Sequence, residues 1–509
     1  MSLMGLAPAD ASYDPRTGEQ RGGVVHTTPT EVEETLQRAA SASAEIAAAC
    51  PTVRQGWLTA VADALLAHQE ELALLADEET GLGLPRLRGE IAGAARSASF
   101  YASVAVDGSY LGASTEVVNE SSTLARWNIP VGPVAVFGAS NFPFGFGVLG
   151  HDVASALAAG CPVIAKAHPA HPRLSVRLAA IARKALALAG APEGTYDVVV
   201  GFDAGLALVD APAIKTIAFT GSQRGGMALL ERAAVRGVPV FAEMGTVNPV
   251  FVTAAAAVNA ANIAAGFVAS FTLGAGQFCT KPGLIFAPVG SGMFATVKDL
   301  VTEVPPAPLL TAGIAASFST GVEELTAVAG AVSSPVPAGS AGYFAAAQVR
   351  QVALGDLLPG SRLLEECFGP VALVCEYADG ALALDTLAGL QGSLAASVFT
   401  GGPDDPETTT VVARLLPKVG RITLNAWPTG VANTWSQQHG GPWPATSRPE
   451  ATSVGADALN RFVRPVALQN ADRDTLPPAL APGNPWHIPR RIDGVITLPA
   501  ELSSTLKAN

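Results

Sequence analysis

Three residues of chemically useful type stand in charge-poor surroundings: Cys279 in GAGQFCTKPG, Glu243 in FAEMGTVNP and Asn141 in FGASNFPFGFG. A cysteine that has lost its proton is a nucleophile, a carboxylate can take a proton from a thiol or a water, and an amide N–H can hold a developing oxyanion. Together they suit addition of sulfur to a carbonyl followed by hydrolysis. Singly, two of them have ordinary explanations: a lone cysteine beside an uncharged helix is more often inert filling, and an asparagine after a strand is more often a turn residue. Glu243 is harder to dismiss, because an acid in an apolar stretch is costly without a partner or a task. The conjunction of all three, each in an apolar strand-end loop, makes the case for a site.

Two further segments could hold phosphate. In FTGSQRGG, Gly221, Ser222 and Gly226 open a helix after a strand, where backbone N–H groups can face a pyrophosphate; Gly-Ser is equally an ordinary helix cap. The run Gly145-x-Gly147-x-x-Gly150 is formally a dinucleotide fingerprint. Pro143 interrupts its entry, and Lys166 stands where an acid about twenty residues on would be needed. Those glycines are read instead as permitting close packing.

The elements that position these groups follow from periodicity. Thr28-Pro29-Thr30-Glu31 is a capping box that starts a helix, and helical spacing rich in Ala, Leu and Glu continues to about Ala102. TLARWNIPVG reads as the end of a hairpin. The apolar runs in VGPVAVFGAS, CPVIAKAHP, YDVVVG and IKTIAFTGS, each closed by Gly or Pro and followed by an Ala-rich helix, predict parallel strands covered on both faces. A second strand–helix series runs from Asn248 to about Ala445, and the tail after Leu459 is Pro-rich with short strand-like pieces. The uncharged stretch between Glu243 and Lys281 is broken by Asn248, Pro249, Asn259, Asn262 and Gly266, so it reads as a buried strand, turn and helix rather than a membrane span.

At 509 residues the chain exceeds one core and needs two or three domains. Hydrophobic residues form 49% and charged residues 15%, a globular composition. A net charge of −12 disfavours nucleic acid or an anionic membrane as partner. Five scattered cysteines form no C-x-x-C pair, which argues against a disulfide framework and fits a reducing cytoplasm, and the N-terminus lacks the apolar core of a signal peptide. His151, His168 and His171 bring no accompanying set of ligands, so no metal is expected at them.

FGASNFPF, FTGSQRGG, AEMGTVNP, GQFCTKPG and ECFGPV, in this order, resemble the aldehyde dehydrogenase superfamily over nearly the whole chain. ETGLGLPRLRGE, AKAHPAHP, FAEMG, GQFCTKPGL and HGGPWPATS are similar, within it, to the α-ketoglutaric semialdehyde (2,5-dioxopentanoate) dehydrogenases. The resemblance implies an α/β fold with a Rossmann-type cofactor domain (1–106 and 132–245), an α/β catalytic domain (246–445) and a small β oligomerisation domain (107–131 and 459–509). It implies oxidation of an aldehyde to an acid by NAD(P), with Cys279 as nucleophile passing through a thiohemiacetal and a thioester. Asn141 and the Cys279 N–H would form the oxyanion site, and Glu243 would be the base for hydrolysis. For the cofactor it implies Lys166 at the adenosine ribose, Gly221, Ser222 and Gly226 at the pyrophosphate, and Glu366 and Phe368 at the nicotinamide ribose and ring. His168 and Arg224 would stand near the adenosine end. Phe142, Phe278 and Trp443 would line the substrate site, with Arg448 a candidate for a substrate carboxylate.

Many NAD-preferring members carry Glu where this chain has Pro169, which points to NADP, with NAD permitted. A homodimer or homotetramer is expected. The competing readings are a dehydrogenase that passes the acyl group to coenzyme A, against which Glu243 speaks, and a non-catalytic relative that keeps only the fold.

Overall fold

The computed structural model describes residues 8–328, 332–333 and 341–499. Thr28 caps the first long helix, Pro29–Ala48: its hydroxyl accepts from Glu31 N, and the Glu31 carboxylate accepts from Thr28 N at 2.7 Å. Three more helices follow, and the last, Leu84–Asp107, shows why periodicity places function. Leu87, Ile91, Ala94, Ala98, Tyr101 and Ala105 recur at helical spacing and are buried. The neighbouring stripe, Glu90, Gly93 and Ser97, is left facing a cavity. Truncating Leu87 or Ile91 to alanine would cost about 2–5 kcal/mol and loosen that cavity wall.

The helices cover a five-stranded parallel sheet in the order Tyr196–Val199, Val163–Lys166, Val134–Phe137, Thr216–Gly221, Val240–Met244. The chain winds outward in both directions from Val134–Phe137, so a crevice opens at the carboxyl ends beside that strand. A seven-stranded sheet follows, ordered Val332–Ser333, Gln348–Val352, Val371–Tyr377, Leu284–Pro288, Pro249–Val252, Ser393–Phe399, Val419–Leu424, parallel apart from its first strand. A third sheet joins Ser114–Asn119 and Ser122–Pro130 to the late strands Val463–Gln469, Arg490–Ile492 and Val495–Thr497.

Among the described residues one helical run, Ala255–Gly276, is long and apolar enough to cross a membrane. It buries Ile263, Phe267 and Phe271 in a core cluster with Ile285 and Val374, and it breaks at Gly274 and Ala275, both at φ 57°. It is a core helix. A hairpin at Ala9–Tyr13 and Gln20–Val25, which the sequence does not announce, pairs antiparallel before the first helix and brings Ala11 and Tyr13 to the crevice.

Candidate active site

Glu243 lies inside the strand Val240–Met244 rather than at its end. The segment 445–447 pairs along that strand's free edge, through a bridge to Thr446, Met244 N to Ala445 O at 2.8 Å and Ser447 N to Ala242 O at 3.0 Å. This pairing draws the HGGPWPATS loop onto the carboxylate. Cys279 follows the broken helix end, where Gly276 holds φ 67° and a Cβ would stand 2.2 Å from Gly369 O. Only glycine fits that approach. Asn248 Nδ2 then fixes the turn by donating to the carbonyls of Cys279 and Lys281 at 2.8 and 3.1 Å.

These constraints bring Cys279, Glu243 and His439 together, with their three ligand-type atoms within 4.8 Å of one another. Cys279 Sγ is 3.7 Å from His439 Nε2, which is 2.9 Å from Glu243 Oε1. Oε1 nevertheless accepts no hydrogen bond, so the contact is an ion pair off the N–H direction. Ser453 Oγ donates to the other oxygen, Oε2. Burial would push the Glu243 carboxyl up, but the His439 charge and these contacts outweigh it and leave it below its usual value. Burial would push the His439 imidazole down; Glu243 and Cys279 reverse this and raise it to about 10. Burial also raises the Cys279 thiol above its usual range, with His439 opposing.

The sign follows. The ion pair contributes to stability above the carboxylate range, is lost as pH falls through the Glu243 pKa, and is lost again as pH rises through about 10. At neutral pH His439 is an imidazolium beside Sγ, a cation that favours the thiolate. His439→Gln is therefore expected to move the alkaline rise of kcat/KM to higher pH by about one to two units. That is roughly a tenfold to hundredfold loss at neutral pH, taking about 1.5–3 kcal/mol for a charged hydrogen bond. A pH–rate profile with an unmoved limb would refute it.

Two cavities meet at Cys279. One, of about 450 Å³, runs past Glu90, Phe142, Phe146, Phe278 and Asn433. The other, of about 1020 Å³, runs along the sheet crevice past Asn141, His168, Gly221, Ser222, Arg224, Glu366 and Phe368. Asn141 is buried and donates one amide N–H to Gln277 O at 2.8 Å, which leaves its second donor. Phe142 and Phe278 meet edge to face at 4.9 Å beneath Arg86.

Three sequence expectations need correction. Trp443 is exposed and lines neither cavity. Arg448 stands 3.8 Å from Glu450 on a separate crevice behind Glu243, because the loop turns its outer face there. Gly226 lies outside the lining of the larger cleft; a Cβ there would meet Met244 Sδ at 2.6 Å, so it serves helix–strand packing. Lys166 ends its strand two residues before His168, which lines the cleft, and its stem packs beside Gly205. Gly147 and Gly150 are packed against Pro143 O and Gly145 O, which accounts for the dinucleotide-like spacing without a ligand.

The model of the aldehyde dehydrogenase family matches residues 8–307. The chain is 38% identical to α-ketoglutaric semialdehyde dehydrogenase 2 of Azospirillum brasilense, over 97% of each chain. It is 37% identical to the α-ketoglutaric semialdehyde dehydrogenase of Acinetobacter baylyi, over 92% of each.

The chain belongs to the aldehyde dehydrogenase family.

Its fold superposes on an NAD-dependent aldehyde dehydrogenase of Sinorhizobium meliloti with a TM-score of 0.79 at 25% identity, covering 91% of each chain. Betaine aldehyde dehydrogenase of Staphylococcus aureus shares the fold, with a TM-score of 0.80 at 19% identity. As an NAD(P)-dependent aldehyde dehydrogenase, the protein must hold a dinucleotide. The larger cleft fits one. Ser222 caps the helix Gln223–Ala234, whose N-terminus opens there. Glu366 projects over Gly245, where a Cβ would stand 1.9 Å from Oε2, and burial raises its carboxyl to about 7 against the pull of Lys281. Sequence reasoning missed His439. Its only local signal is the HGG at the head of the loop that pairs with Glu243's strand.

Proposed function

We propose that this aldehyde dehydrogenase oxidises a semialdehyde carrying a carboxylate, such as α-ketoglutaric semialdehyde, through a thioester on Cys279. The observation that carries the chemistry is the meeting of the two cavities at Cys279, beside the Glu243–His439 pair. The Cys279 thiolate adds to the aldehyde carbon, and the oxyanion forms where the Asn141 amide and the Cys279 N–H can donate. A nicotinamide dinucleotide bound in the cleft supplies the hydride acceptor. Glu243 then takes a proton from water as its oxygen adds to the thioester, the C–S bond breaks, and the thiolate returns. The sum is aldehyde, water and oxidised cofactor giving carboxylate, reduced cofactor and two protons. NAD(P)H release from a panel of aldehydes, with and without coenzyme A, tests this reading; a dependence on coenzyme A would overturn it.

The two characterised relatives are named for α-ketoglutaric semialdehyde, and the smaller cavity suits such a substrate. Its charged lining residues are Glu90 and Arg96. Glu90 is spent inward: Oε1 accepts from Phe144 N and Gly145 N at 2.9 and 3.0 Å, with Arg86 close by. Arg96 makes no ion pair among the described residues, and its guanidinium folds back over Gly93 at the cavity wall. Arg96→Met is expected to lower kcat/KM for the semialdehyde by about tenfold, a fraction of what a fully buried charge pair would cost. It should leave pentanal unchanged. Equal loss on both would remove Arg96 from the substrate site.

We infer a preference for NADP. At the adenosine end the cleft is lined by His168, Pro169 and Arg224, and the acids among its lining residues, Glu243 and Glu366, lie toward Cys279. His168 is held neutral, chiefly by burial and with the Lys166 charge adding to it, so the positive charge at this end rests on Lys166 and Arg224. The Michaelis constant should be lower for NADP than for NAD. Pro169→Glu should shift the ratio of kcat/KM toward NAD by about tenfold or more, since close like charges cost several kcal/mol. Steady-state kinetics showing NAD preferred by the parent would overturn this.

The assembly is proposed to be a homodimer or a dimer of dimers built through the third sheet. Its inner strand exposes Val117 and Val118 and its edge strand exposes Val495 and Ile496, apolar surface that needs a cover.

A further inference from the structure

We propose that the cluster of Cys279, His439 and Glu243 is also an inhibitory site for a zinc-class divalent cation. The three side chains offer a thiolate, an imidazole and a carboxylate, the donor set that zinc takes from proteins. Two of their three separations lie close to those about a single ion, and the third is within 4.8 Å. With Zn–S about 2.3 Å and Zn–N about 2.0–2.1 Å, tetrahedral coordination places sulfur and nitrogen roughly 3.5 Å apart. Sγ and Nε2 of Cys279 and His439 are 3.7 Å apart. Two ligands of the nitrogen and oxygen type would sit roughly 3.3 Å apart about the same ion, and Nε2 to Glu243 Oε1 is 2.9 Å, a few tenths of an ångström closer.

The state of Glu243 supplies an independent observation. The residue is 4% exposed, and its Oε2 is taken by Ser453 while Oε1 accepts no hydrogen bond. This buried carboxylate oxygen accepts no aligned hydrogen bond and meets only the His439 ring nitrogen at 2.9 Å, so a cation that takes that nitrogen also finds the oxygen's lone pairs available. The fourth coordination position falls to water, because both cavities reach Cys279.

Binding replaces the Cys279 thiol proton and the His439 Nε2 proton with the metal, and both protons pass to solvent. Sγ is then coordinated and cannot add to an aldehyde, and Glu243 cannot accept a proton. Magnesium and calcium, which require more oxygen ligands, find none of them here and should not inhibit. His151, His168 and His171 play no part, since the ligand set is assembled from strand, turn and loop rather than from a local run of histidines.

The test uses the full-length enzyme with zinc or cobalt(II) salts alone. Zinc is expected to abolish aldehyde oxidation at one equivalent per protomer, with recovery on chelation and no effect of magnesium. Cobalt(II) is expected to give thiolate-to-metal charge transfer in the near ultraviolet and the intense visible bands of tetrahedral coordination. Both should vanish in Cys279→Ala, and cobalt affinity should fall at least about 100-fold in His439→Asn and in Glu243→Gln. Charge transfer that persists in Cys279→Ala would place the metal on another cysteine and overturn the proposal. So would full activity in excess zinc, or unchanged cobalt affinity in both His439→Asn and Glu243→Gln.

Discussion

Cys279→Ala is expected to lose NAD(P)-linked aldehyde oxidation by at least about 10³-fold while binding the dinucleotide as the parent does. The magnitude follows from removing the only atom that forms the covalent bond, since the oxyanion donors and the bound cofactor cannot replace a nucleophile. Retained binding follows from the architecture. The cleft is built by Ser222, Glu366 and Phe368 on other elements, and the Cys279 turn is fixed by Asn248 through backbone carbonyls that alanine keeps. Quenching of protein fluorescence by NADPH checks binding, and a sensitive NADPH assay checks turnover. Turnover above a small percentage of the parent would show that another group forms the bond.

Glu243→Gln is expected to split the reaction in two. The first half, ending in reduced cofactor, should still occur, and the second should slow by about 10²–10³-fold, the scale of a positioned general base. Rapid mixing should therefore show a burst of NADPH approaching one equivalent per protomer, followed by slow release, with the acyl group detectable as a mass increase on Cys279. The substitution also removes the charge that holds His439 protonated, so the burst itself should slow and depend more steeply on pH. A uniform loss with no trapped acyl group would assign Glu243 to the first half instead.

Much of this was legible because the relevant segments carry their own signals. Apolar runs closed by Gly or Pro gave the strands Val134–Phe137, Val163–Lys166, Tyr196–Val199 and Thr216–Gly221. Cys279, Glu243 and Asn141 stood out because polar groups in charge-poor stretches are costly. The doubt over Gly145-x-Gly147-x-x-Gly150 was sound for a local reason, since Gly147 packs against the interrupting Pro143 and Gly150 against Gly145. His439 was illegible because its partner is 160 residues away and its loop pairs along a strand edge that no periodicity reveals. Trp443 and Arg448 were misplaced by the same loop: knowing that it approaches the site does not tell which of its residues turn inward. The hairpin at Ala9–Tyr13 and Gln20–Val25 lacks apolar alternation, so only its pairing identifies it.

One buried cation reaches beyond its own neighbourhood. Lys281, two residues past the nucleophile, donates from Nζ to the carbonyls of Cys367, Gly369 and Val371 at 2.7, 2.9 and 3.0 Å. All three ammonium protons are thereby used, and they grip the backbone just after Glu366 and around Phe368. The turn that carries the sulfur and the loop that lines the larger cleft are thus tied into one bracket. Adapting the family to a bulkier cofactor analogue by reshaping residues 366–371 would displace the nucleophile as well. A successful redesign of this cleft must alter both ends of the bracket together or leave Lys281 and its three carbonyls alone.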